Sequence, residues 1–335
     1  MTNNNFNNGA TNNNSNNGKG DFIMTTGTIG TMEAFAGTVK SAMEAYFGND
    51  YKVQVHTVVK NNDLYLTGLT ILNRRVNIAP TIYLEYYYEQ YRAGATMSDV
   101  CQQIIRTYEE HKGTLDFDVK SVTDFNRVKD RICYKLVSAD RNKELLSDTP
   151  HIKFFDLAII FYIMVSSDAE GMGTITVHDN IMDLWNVSKE KVFELAVQNT
   201  QKLFRGKVTS VAEVMIDVLA SRLDRECACE FFDLMAGEDD MIPMYVCTNT
   251  AKMNGAGVIF YNGLLKEFAD RVGSDVYIIP SSIHETILIP AGVGMDADEI
   301  RDMVKCVNAT EVAPDEILSD SVYYYNRLTD RVEIA

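Results

Sequence analysis

The chain has 335 residues, with 31 Lys and Arg against 47 Asp and Glu, a formal charge of −16. Hydrophobic residues make up 46% and charged residues 23%, a balance that excludes collagen-like, mucin-like and mainly disordered chains. The acidic excess argues against nucleic acid, whose phosphates need a basic face, and against an anionic membrane; a protein partner or a small molecule fits it better.

Length alone sets an expectation of about two domains, or one large one. The longest apolar run, Phe154–Val165, has twelve residues and contains Asp156, whereas a spanning helix needs about 20. The N-terminus has neither the basic start nor the apolar core of an export signal. The chain is therefore read as soluble, cytoplasmic and without a membrane partner. Its cysteines (Cys101, Cys133, Cys227, Cys229, Cys247 and Cys306) are read as reduced thiols.

Ten of the first seventeen residues are Asn. Such a segment buries too little apolar surface to order itself, so residues 1–30 are read as a disordered tail. From Thr31 the spacing of Phe35, Val39, Met43 and Phe47 predicts a helix ending at Gly48. Residues 52–59 alternate, Asn61-Asn62-Asp63 is turn chemistry, and Leu64–Leu72 returns, which predicts a β-hairpin. A strand over Val76–Leu84 follows. Met97, Val100, Cys101, Ile104, Ile105 and Tyr108 then mark the clearest amphipathic helix in the chain. The stretch 112–149 is mixed, with a strand near Ile132–Val137. These elements make an N-terminal unit over 31–149.

The C-terminal unit, 150–335, opens with Phe154–Val165, read as a buried central strand with a buried helix as the alternative. A loop over Ser166–Gly173 and a strand over Thr174–Val177 come next. Ser188 is placed to cap a helix through Phe204. Ser210-x-x-Glu213 and Asp296-x-x-Glu299 have the form of capping boxes. Behind the first, Val211, Val214, Met215 and Val218 form an apolar stripe. The fold class is α+β, with mixed or antiparallel sheets and flanking helices. Ile159–Thr200 and Met244–Thr310 share an order of elements that suggests a weak internal duplication, the second copy carrying an extra hairpin, Val276–Ile279 with Ile283–Ile289.

Chemistry concentrates in few places. In the Pro280–Glu285 link, Ser281 or Ser282 as nucleophile with His284 as base would make a serine-type hydrolase. Neighbours on a strand face opposite ways, so His284 and Glu285 would not meet, and no Gly-x-Ser-x-Gly elbow is present. The alternative is a turn whose hydroxyls bond local backbone, or a ligand contact through His284. Tyr83, Tyr86, Tyr87, Tyr88 and Tyr91 crowd nine residues, and Tyr323–Tyr325 are consecutive. They suit either an interface or a half-buried sheet. Cys227-Ala-Cys229 lacks the spacing and second pair of a zinc site and is read as small buried helix residues. Asp116-Phe117-Asp118 and Glu238-Asp239-Asp240 do not form a calcium loop. Gly255-Ala-Gly257 is not a phosphate fingerprint. His56, His111, His151 and His178 share no ligand spacing. No metal or cofactor is expected.

Ala79-Pro-Thr-Ile-Tyr-Leu, Pro150-His-Ile-Lys-Phe-Phe-Asp-Leu-Ala, Pro280-Ser-Ser-Ile-His-Glu and Leu318-Ser-Asp-Ser-Val-Tyr-Tyr-Tyr resemble segments of a bacterial family catalogued as domain of unknown function 5688. The resemblance covers about residues 30–330. The order of elements is more distantly similar to the YtpQ-like family, also of unknown function. The resemblance implies a cytoplasmic bacterial α+β protein and no catalytic residues. The resulting reading is a non-catalytic protein- or ligand-binding module contacting its partner through Tyr86, Tyr87, Tyr88, Ser281, Ser282 and His284. The alternative is the hydrolase.

Overall fold

The computed structural model describes residues 29–74, 79–112, 119–168, 171–236 and 242–335. Residues 1–28 of the expected tail and both acidic clusters lie outside them. The fold is α+β, with three antiparallel sheets. No helix among the described residues is long and apolar enough to cross a membrane. The described residues divide into two compact units. One holds the residues up to Thr57 together with Thr67–Lys112; the other holds Val58–Leu66 and the residues from 119 onward.

In the first unit, α1 (Met32–Phe47) begins where the Thr31 hydroxyl accepts from Ala34 N–H. Phe35, Val39 and Met43 recur every four positions and are fully buried, so one face of the helix meets the core. The strands β1 (Tyr51–Val59), β2 (Tyr65–Asn73) and β3 (Thr81–Tyr83) form a sheet in that order. The first part of the strand expected over 76–84 lies outside the described residues. After β3 the Tyr-rich stretch forms a helix, α2 (Glu85–Arg92), not a sheet surface. A full capping box between Thr96 and Asp99 starts α3 (Met97–His111). Its Val100, Ile104 and Tyr108 close the core against Leu69, Ile71 and Ile82. Each such side chain contributes about 1.5–3 kcal/mol on burial.

The second unit contains the short helix α4 (Phe125–Val128) and a sheet of β4 (Ile132–Ser138), β5 (His151–Phe154), β6 (Leu157–Asp168) and β7 (Gly171–Thr176). Residues 119–149, grouped with the N-terminal half in the sequence, thus supply a strand here. The run expected to be a buried central strand is one. β6 has β4 on one side and β5 and β7 on the other. Leu157–Ile163 are at most 2% exposed; a strand covered on both faces must be continuously apolar. The strands β6 and β7 extend into the expected loop. Next come α5 (Asp179–Trp185) and α6 (Lys189–Leu203), the latter capped by Ser188 as expected.

A second sheet comprises β8 (Gly206–Ser210), β9 (Tyr245–Asn249), β10 (Val276–Ile279), β11 (Thr286–Pro290), β12 (Tyr323–Asn326) and β13 (Arg331–Ile334), in the order β13-β12-β10-β11-β9-β8. Helices α7 (Val211–Ala220), α8 (Arg225–Ala236), α9 (Leu264–Val272) and α10 (Ala297–Thr310) accompany it. One core joins both sheets, with Tyr134, Phe161, Trp185, Phe268, Ile278, Leu288 and Tyr323 among its members.

Three local expectations are corrected. The shared order of elements calls for a strand just after Gly257, matching Thr174–Val177 in the first copy, and the chain forms a 3-10 turn there instead, Gly255–Phe260. The two stretches compared for duplication therefore differ there: β6 pairs with β7, whereas β9 pairs with β8 and β11. The α7 stripe does not face a core: Met215 is 48% and Val218 62% exposed, because α7 packs mainly on α8. At Ser210, the hydroxyl accepts from Glu213 N–H at 3.1 Å, one half of a capping box. The box at Asp296–Glu299 is complete.

Candidate functional site

The link between β10 and β11 is held along its length by backbone. Ser319 N–H donates to Pro280 O, Leu318 N–H to Ser281 O and Ile283 N–H to Glu316 O, at 2.9–3.0 Å, and Ser282 bridges Ile317. The Ser282 hydroxyl accepts from His284 N–H at 3.0 Å, the local hydroxyl–backbone turn that serine favours. The His284 ring is held from both ends. Its Nδ1 accepts from Asn254 N–H at 3.3 Å, and Nε2 lies 3.4 Å from Glu316 Oε1. An accepting Nδ1 puts the ring proton on Nε2, facing the carboxylate. Among the described residues no hydrogen bond joins the imidazole to Ser281 or Ser282.

Gly255 explains why this corner is so tight. A Cβ there would lie 2.2 Å from Thr248 Oγ1 and 2.3 Å from His284 O. Only glycine lets the 3-10 turn press against the link, with Thr248 donating to that same His284 carbonyl at 2.7 Å. Glu285 is half-buried beside it. Burial holds its carboxyl above the usual range, and the Glu316 charge adds to it. The arrangement is an imidazole held between a backbone N–H and one carboxylate, with no serine hydroxyl at either ring nitrogen.

The tyrosines divide. Tyr86 is 60% exposed. Tyr87 is buried, with its hydroxyl 2.9 Å from Thr107 Oγ1. Tyr88 donates to Gly30 O at 3.0 Å and packs its ring 5.1 Å from Phe35. Of Tyr86–Tyr88, Tyr86 is the one with an exposed ring, set edge-on to Tyr87. Cys227 is exposed, Cys229 half-buried and Cys247 buried, so the first departs from the expected buried position. No group of three or more metal-ligating side chains occurs among the described residues.

A separate cleft of about 640 Å³ opens between the start of β5 and the junction of α5 and α6, lined among others by His151, Asp179, Asp183 and Lys189. Each has a local reason to be there. His151 Nδ1 donates to Thr149 O at 2.8 Å, which fixes the ring and leaves Nε2 for a further hydrogen bond. Asp179 and Asp183 stand one turn apart on α5, on one face. Asn186 ends α5 in the left-handed region at φ 52, and Ser188 then starts α6, placing Lys189 in its first turn. The lining therefore holds acids, a cation and an imidazole together, in a volume typical of small-molecule sites. Sequence reasoning passed over these residues because it searched the histidines for ligand spacing. The legible signal was Asp179-x-x-x-Asp183 directly after His178, since spacing by four puts two carboxylates on one helix face.

Scaffold and site define an α+β protein with a polar cleft beside its smaller central sheet. The chain belongs to the family described as "Family of unknown function (DUF5688)", which matches residues 32–327 and so spans all four segments that carried the resemblance. No curated protein and no solved structure matches the chain.

Proposed function

We propose that this protein is a non-catalytic binding module, bacterial and cytoplasmic, whose ligand is a small zwitterionic molecule taken up in the 640 Å³ cleft. The observation that carries the reading is the mixed lining. A ligand ammonium would face Asp179 and Asp183, and its acid group would face Lys189 and the positive end of α6. His151 Nε2 would accept a further hydrogen bond. Unpaired thiols, two of them exposed, fit a reducing compartment.

A protein partner is the second reading, favoured by the exposed Tyr86 ring, with His284 as a further contact through its partly open imidazole. The serine-hydrolase reading through Ser281, Ser282 and His284 draws no support from the geometry, because both His284 nitrogens and the Ser282 hydroxyl are engaged elsewhere.

The test is a thermal-shift screen of amino acids and related zwitterions against the full chain. A ligand at 100 times its Kd stabilises by about 2.7 kcal/mol, a clear rise in Tm. The rise is expected to vanish in Asp183→Asn and His151→Ala. A screen in which no compound moves Tm, or in which both variants respond like the wild type, would overturn the cleft.

A further inference from the structure

A second cleft, of about 480 Å³, opens at one end of the larger sheet. It lies where α9 finishes, where β9 starts and where β11 gives way to the loop before α10. Register brings these ends together, since β11 sets Pro290 opposite Val276 of β10 and Leu288 opposite Tyr245 of β9. Much of the wall is apolar, with Pro243, Val272, Pro290 and Val293. Two of these four are prolines, whose fixed φ keeps the wall in one shape. Val293 stands between Gly292 at φ 88 and Gly294 at φ 90, a backbone path that a side chain at either position would resist.

Charge on the lining has one sign. Arg271 is part of it, and no Asp or Glu is. The Arg271 guanidinium carbon lies 5.3 Å from the centroid of the buried Phe268 ring, a cation–π contact. Among the described residues no carboxylate pairs with Arg271 and no acceptor takes a hydrogen bond from its side chain. The acids closest in sequence are engaged elsewhere. Asp270 pairs with Lys266 at 3.4 Å, and Asp275 accepts from the Tyr324 hydroxyl and from Arg327 N–H, both at 2.7 Å. The Tyr245 ring packs edge-on to the same Phe268, at 4.9 Å, and its hydroxyl has no hydrogen-bond partner among the described residues. An unpaired cation and an unpaired hydroxyl thus flank one buried ring beside an apolar wall.

We propose that this cleft binds small monocarboxylic acids with an apolar body, aliphatic or aromatic. Arg271 takes the carboxylate through its paired N–H donors, with the Tyr245 hydroxyl as a further donor. The apolar body lies against Pro243, Val272, Pro290 and Val293, in a volume within the range of small-molecule sites. One cation matches one negative charge, and a dianionic phosphate would call for more. This cleft shares no lining residue with the 640 Å³ cleft and takes the opposite chemistry, an acid without an amine, so either reading can fail alone.

The full chain is titrated with octanoate and phenylacetate, and with the neutral amides of the same shape, octanamide and phenylacetamide, by ligand-observed NMR. Each acid is expected to bind about tenfold or more tightly than its amide, the scale of a hydrogen bond to a charged group. This comparison uses the wild-type chain and does not depend on a variant folding. Arg271→Gln is expected to bring the acids down to the affinity of the amides. Arg271→Lys is expected to keep part of the difference, because an ammonium retains the charge and loses the planar fork. Val293→Trp, which fills the apolar side of the cleft, is expected to abolish binding of acids and amides alike. Acids that do not bind at millimolar concentration, or that bind no better than their amides, would overturn the proposal. So would Arg271→Gln or Val293→Trp chains that bind the acids as the wild type does.

Discussion

Two tyrosine triplets of identical composition behave differently because one lies on a helix and the other on a strand. On α2 each successive residue turns by about 100°. Tyr87 therefore enters the core, Tyr88 lies along its edge and Tyr86 faces solvent. On β12 the side chains alternate, so Tyr323 and Tyr325 are buried at 0% and 2% exposure with Tyr324 on the opposite face. All three strand hydroxyls donate to aspartates: Tyr323 to Asp156 at 2.5 Å, Tyr324 to Asp275 at 2.7 Å and Tyr325 to Asp330 at 2.6 Å. The strand triplet is a structural clamp, and the helix triplet is an anchor with one ring free. Asp156 follows Phe155, which has φ 53, a conformation costly for a bulky side chain. Ser319, Ser321 and Tyr323 all donate to its carboxylate and hold the turn in place.

The largest expected effect separates the triplets directly. Tyr323→Ala removes a ring in contact with Phe154 and Phe155 and is expected to cost about 3–5 kcal/mol in urea unfolding. Tyr323→Phe keeps the ring and loses the hydroxyl, for about 1–3 kcal/mol. Comparable losses for Tyr323→Ala and Tyr86→Ala would break the comparison.

Glu285 sharpens it as a half-buried carboxyl that no tyrosine holds. Its folded value lies above its unfolded one, so ionisation opposes folding. That contribution to stability is full below the unfolded value and is lost as pH rises through the folded value. Glu285→Gln is expected to leave Tm unchanged near pH ~4, at or below the ordinary glutamate value, and to raise it toward neutrality. A gain that shrank as pH rose would contradict the assignment.

Asp275 is the opposite case. The Tyr324 hydroxyl first, and Arg327 N–H next, hold its carboxyl below the usual range. The bond also pushes the Tyr324 phenol up to about 12. Stability from Asp275 is present above its unfolded value and is lost as pH falls through the lower folded one. Tyr324→Phe is expected to move the acid limb of the stability profile to slightly higher pH, seen by acid titration of the circular dichroism; an unmoved limb would detach the pair from stability. The smallest expected effect is that of Tyr86→Ala on folding, within about 0.5 kcal/mol, with reduced capture of any protein partner.

Much of the fold was legible because it rests on periodicity. Phe35, Val39 and Met43, the α3 stripe, the caps at Ser188 and Asp296, and the apolar run of β6 each carry a pattern that only one environment satisfies. The Tyr-rich stretch was not legible in that way, because strand propensity suggested a sheet where packing on Phe35 and Thr107 imposed a helix. The α7 stripe had the right spacing, but spacing does not reveal whether anything covers the face. Ser282 and His284 were read as nucleophile and base or as contact residues, and the Ser282 hydroxyl instead accepts from the His284 N–H. The ring partners of His284, Glu316 and Asn254, lie 32 and 30 residues from it, and local sequence cannot supply such contacts.

The central claim is that the polar cleft of the second unit binds a small zwitterion. Backbone hydrogen exchange of the full chain, with and without the best compound from the thermal screen, tests it most directly. The account predicts protection concentrated at residues 146–151 and 179–189, the two stretches that line the cleft. Protection confined to Pro280–Glu285 or to α2, with both cleft stretches unchanged, would contradict it.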